Sequence, residues 1–120
     1  MKIAITAQGQ DLSNQLDTRF GRAKWLIVYD TETGSVEAND NTVNLNASSG
    51  AGIQTAQNAA NLGAEAVITG NMGPNAFKTL NAAKVKVFLS KASTVQEALD
   101  LFKEGKLQEV TEPNVDGHRT

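Results

Sequence analysis

Apolar positions in this chain fall into short runs that switch between a period of two and a period near 3.6. Ile3 to Thr6 and Trp25 to Asp30 are rich in β-branched and aromatic residues, and Ser35 to Val43 alternates loosely after the Thr33-Gly34 turn. Three strands are predicted, the second and third forming a hairpin. The stretch between the first two carries Gly9, Gly21 and several Asn and Asp residues, too many breakers for a helix.

From Gly50 the period changes. Ile53, Ala56 and Ala60 fall at i, i+3 and i+7, and Gly63 is placed to cap the helix they predict. Ala66 to Thr69 is a short apolar run suited to a buried strand. Gly70-Asn71-Met72-Gly73 follows, then Pro74 at a first helical position. Ala76, Phe77, Leu80 and Ala83 mark a second helix, and Val85 to Leu89 returns as a strand. A third helix has a capping box in Thr94 and Glu97, with Val95, Ala98, Leu99 and Phe102 along one face, and Gly105 ends it.

The predicted order is β-β-β-α-β-α-β-α over residues 1–106, followed by a polar tail from 107 to 120. Parallel strands joined through helices cross over right-handed, which favours an α/β three-layer sandwich with helices on both faces of the sheet. A length of 120 residues fits one such domain.

Composition then narrows the function. A net charge of −2 and 5% aromatics leave neither a basic surplus for a phosphate backbone nor rings for stacking bases, so nucleic acid is excluded as a partner. No apolar run approaches the ~20 residues that span a bilayer. The N-terminal residues read directly as a strand, so the expected location is cytoplasmic. With no cysteine, there is no thiolate nucleophile and no cysteine cage for zinc or an iron-sulfur cluster.

Three segments are predicted to meet at the carboxyl rim of the sheet, where open α/β sheets bind ligands: Gln8 to Arg22, Ser48 to Ile53 and Gly70 to Asn75. Both helix starts there are glycine-rich, through Gly50 and Gly52 and through Gly70 and Gly73. Such corners either make tight turns or present bare backbone N–H groups to an anion. Neither matches a P-loop or a dinucleotide fingerprint. Arg19 and Arg22 either clamp an anion or pair with Asp11 and Asp17. Met72 is a soft thioether or a core gap-filler, and His118 is the single imidazole. Two-metal hydrolysis needs carboxylates on the central strands, and Lys2 to Thr6 has none. With His118 in the tail, a serine triad has no base in place, so the chain reads as a non-enzyme.

Phe20-Gly21-Arg22, Gly50 to Ala56, Leu62-Gly63 and Ala66 to Ala76 together resemble the dinitrogenase iron-molybdenum cofactor biosynthesis family, the NifX-like proteins, over roughly residues 1–105. The resemblance implies a ribonuclease H-like fold with a five-stranded mixed sheet in order 3-2-1-4-5. It also implies non-catalytic binding or carrying of iron-sulfur or iron-molybdenum cofactor precursor clusters, held transiently, with a nitrogenase-type or cluster-assembly protein as partner. The residues assigned to cofactor binding are Arg19, Arg22, Gly50, Gly52, Gly70, Asn71, Met72, Gly73 and Asn75, with His118 as a metal ligand. Many members of the family it resembles carry a histidine- and cysteine-rich tail, whereas Asp116 to Arg119 supplies one histidine and no cysteine here. The alternative is a module that binds a small anionic metabolite or nucleotide at the same rim. A third reading is an interaction partner of a larger metalloprotein.

Overall fold

The computed structural model describes residues 1–46 and 50–114. The described chain forms one mixed sheet in the order β3-β2-β1-β4-β5-β6. Its strands are β1 (Lys2–Ala7), β2 (Trp25–Asp30), β3 (Val36–Asp40), β4 (Ala66–Thr69), β5 (Lys86–Leu89) and β6 (Glu109–Val110). The helices are α1 (Ala51–Asn61), α2 (Pro74–Ala82) and α3 (Val95–Lys103).

β1, β4 and β5 run parallel at the centre, while β2, β3 and β6 are antiparallel to their neighbours. Burial follows the strand alternation. Ala4, Leu26, Val28, Val67 and Val87 point to one side, where Ala56 and Ala59 of α1 and Ala76, Phe77 and Leu80 of α2 cover them. Ile3, Ile5, Ile27, Ala66 and Ile68 point to the other, under Val95, Ala98 and Leu99 of α3. Helices therefore cover both faces, and the three layers expected from the sequence are present.

Local signals account for the element ends. Glu97 N–H donates to Thr94 Oγ1 at 3.1 Å, capping α3. Gly63 has φ +87°, the left-handed conformation that lets glycine close α1. Pro74 opens α2, where its missing N–H costs nothing.

Three expectations are corrected. The sheet has six strands rather than five, because the segment read as a polar tail turns back: Val87 pairs with Val110 and Phe88 with Glu109. Leu107 packs against the α3-side core and Val110 against the opposite one, so this segment contributes apolar side chains to both faces of the sheet. The third strand is shorter than predicted, because Thr42–Asn46 winds into a 3-10 helix after Asp40.

Candidate functional site

Parallel pairing of β1 with β4 and antiparallel pairing of Ala7 with Trp25 bring the loops after β1, β3 and β4 to one edge of the sheet. Two buried threonines at the strand ends set the first loop in place. The Thr6 hydroxyl donates to the Asp17 carbonyl at 2.7 Å and lies 2.8 Å from the Thr69 hydroxyl, while Asp17 N–H donates back to the Thr6 carbonyl at 3.0 Å.

From there the first loop runs alongside the β4–α2 loop. Arg19 forms a parallel bridge with Asn71, whose side-chain amide donates to the Thr18 carbonyl at 3.1 Å. The approach is close enough that a Cβ on Gly70 would stand 2.7 Å from Thr18 Cα. Phe20, fully buried, anchors the 3-10 turn Phe20–Arg22 in the core.

Extended backbone at Arg19 sends neighbouring side chains to opposite sides. Asp17 and Arg19, with Gln8, Arg22 and Lys24, line a pocket of about 250 Å³. Thr18, with Gly70, Asn71, Ser90, Lys91 and Asn114, borders a second one of about 390 Å³. In the first pocket three cations face one carboxylate, a formal surplus of two positive charges. Asp17 is buried and accepts the Arg19 backbone N–H at 3.0 Å, and the Arg19 Nε lies 3.7 Å from the same oxygen. Arg22 and Lys24 are exposed, and neither takes part in a salt bridge among the described residues.

The sequence-assigned residues are thus divided. Arg19 and Arg22 share the basic pocket, while Gly70 and Asn71 line its neighbour. Gly50, at φ +105°, precedes α1 without a side-chain cap, and Gly52 is buried in the first turn of that helix. Gly73 is the N-cap of α2, again without a side-chain cap, and Asn75 is exposed in the first turn. Met72 is 1% exposed in the core beside Phe20 and Phe77, so its thioether serves packing. His118, Ser48 and Ser49 lie outside the described residues, and among those described no three His, Cys, Asp or Glu side chains gather as a metal site.

Sequence reading missed Lys24 and Asn114. Lys24 follows Arg22 at i+2 ahead of β2, a spacing that was there to be read. Asn114 left no local signal. Its side-chain oxygen accepts the Met72 N–H at 2.8 Å, its amide donates to Asn71 Oδ1 at 3.0 Å, and its backbone N–H donates to the Met72 carbonyl at 3.1 Å. The C-terminal segment is thereby latched across the β4–α2 loop.

Fold and rim define a three-layer α/β domain whose strand-end loops converge around a small basic pocket. The chain belongs to the dinitrogenase iron-molybdenum cofactor family, whose model matches residues 1–105. Among solved structures, it is similar to the apo form of the orange protein from Desulfovibrio gigas, with 40% identity, a TM-score of 0.91, and coverage of 95% of this chain and 96% of the other. It is also similar to a Thermotoga protein provisionally named NifB, at 44% identity and TM-score 0.84, covering 97% and 98%. An uncharacterized protein of Methanocaldococcus jannaschii is 32% identical over 111 residues, 90% of each chain. No helix among the described residues is long and apolar enough to cross a membrane.

Proposed function

We propose that this protein binds an iron-sulfur or iron-molybdenum cofactor precursor cluster and passes it on without catalysing a reaction on it. The scaffold is then a ribonuclease H-like domain, an assignment supported by the 3-2-1-4-5 order of its first five strands. Membership in the dinitrogenase iron-molybdenum cofactor family supports this class of cargo, and the similar orange protein was solved in an apo form.

The observation that carries the reading is the basic pocket. Its surplus of two positive charges in about 250 Å³ suits a compact polyanion, and it lies below the roughly 300–1,000 Å³ of sites that enclose drug-sized molecules such as nucleotides. Sulfide-bridged clusters are commonly anionic, and arginine donors fit them. The uncapped starts of α1 and α2 add backbone N–H groups near the same rim. The basic pocket is lined by Gln8, Asp17, Arg19, Arg22 and Lys24, so neither cysteine nor methionine offers a soft ligand there, and Met72 is buried in the core. Charge and hydrogen bonds do the holding, so binding is loose and the cargo transfers to an acceptor, taken here to be a nitrogenase-type or cluster-assembly protein in the cytoplasm.

The test is anaerobic incubation with iron(II) and sulfide, or with a preassembled precursor cluster, then desalting and visible absorbance. Colour should stay with the wild-type protein, wash out as salt rises, and fall with Arg22→Ala. A colourless eluate under every condition would sink the proposal.

A further inference from the structure

We infer that the second pocket, at the ends of β4 and β5, is a separate binding site for a small organic monoanion with an apolar body, such as a carboxylate. It lies across Thr18 from the basic pocket and shares none of its lining residues. Its volume of about 390 Å³ falls within the range of small-molecule sites.

The first observation is a hydroxyl with spare capacity. Ser90 lines the pocket and is 4% exposed. Its Oγ accepts the Ala92 N–H at 3.1 Å, and its own proton goes to no acceptor among the described residues. A buried hydroxyl that accepts without donating is a donor in want of a partner, and a ligand oxygen supplies one.

Charge is the second observation. Lys91 is the one ionisable group in the lining, and no carboxylate faces it there. One ammonium favours one negative charge, unlike the basic pocket next door. The third observation is the wall. Leu89, half-buried, gives an apolar side, Gly70 adds no side chain to narrow the space, and Asn114 closes the far edge through its bonds to Asn71 and Met72. A ligand in this pocket therefore touches both the β5 end and the latch of the C-terminal segment.

Benzoate serves as the probe, with benzamide as its neutral counterpart and inorganic phosphate as an anion without an apolar body. Backbone amide shifts are followed by NMR in the full chain. Benzoate should shift Gly70, Ser90, Lys91 and Asn114 in a saturable way, at least about tenfold more tightly than benzamide or phosphate. Ser90→Ala should weaken benzoate about tenfold, the usual effect of losing one hydrogen bond to a charged group. Lys91→Gln, an exposed change that leaves the fold alone, should erase the preference for benzoate over benzamide. Shifts that do not saturate, equal binding of benzamide or phosphate, an unchanged preference in Lys91→Gln, or shifts centred on Arg19 and Arg22 would each overturn the inference.

Discussion

Replacing Gly70 with alanine tests the contact that brings the two rim loops together. Gly70 does not adopt a left-handed backbone, so alanine there meets no torsional strain. The obstacle is space: the new Cβ would lie 2.7 Å from Thr18 Cα, 2.8 Å from its Cβ and 2.9 Å from its carbonyl oxygen. Two of those three atoms are backbone. That backbone is tied down by the Asn71 amide on the Thr18 carbonyl and by the Arg19 bridge, so it cannot yield by changing a rotamer.

Overpacking of this kind costs about 1–3 kcal/mol. Unfolding entropy of ~2.1 cal/mol/K per residue over 120 residues makes each kcal/mol worth about 4 °C, so Gly70→Ala should lower Tm by roughly 4–12 °C. Thermal unfolding by circular dichroism measures it, with urea titration to check that the m-value is unchanged. The double variant with Thr18→Gly removes only the Cβ contact, so it should recover less than half of the loss. A Tm drop below about 2 °C, or complete recovery in the double variant, would show that the loops are not held as argued.

Asp17→Asn should raise the affinity of the basic pocket for an anionic cluster severalfold in the absorbance assay, because it removes the one negative charge among three cations. Thr94→Ala should cost about 1 kcal/mol by urea denaturation through loss of the cap on α3, with Thr94→Ser close to wild type. Asn114→Ala should leave the Met72 N–H without its acceptor and speed its hydrogen exchange at least about tenfold, while core amides such as Ile68 keep their protection. The Asp40 carboxyl titrates below its ordinary 3.8 because the Thr42 hydroxyl and N–H donate to it. A lowered folded-state pKa stabilises above the unfolded value and is lost as pH falls through the folded one. In Thr42→Val, carboxyl NMR should show Asp40 titrating closer to 3.8.

The sequence by itself determined what local pattern can encode. The strand and helix order through α3 is legible because period-two and period-3.6 runs are properties of adjacent residues. α3 is the sharpest case, with its cap at Thr94 and its apolar face at Val95, Ala98, Leu99 and Phe102 inside nine positions. The family was legible in the same way, through contiguous motifs, and the shared rim of the loops after β1 and β4 followed from the expected strand directions.

Tertiary structure alone decided β6, the division of the rim into two pockets, and the Asn114 latch. β6 is two residues long, and two residues carry no period. Thr18 and Asn71 meet across 53 positions, and Met72 and Asn114 across 42. Whether such groups become partners depends on where the sheet delivers them, and hydrogen bonds of that reach leave no trace in the pattern of either segment.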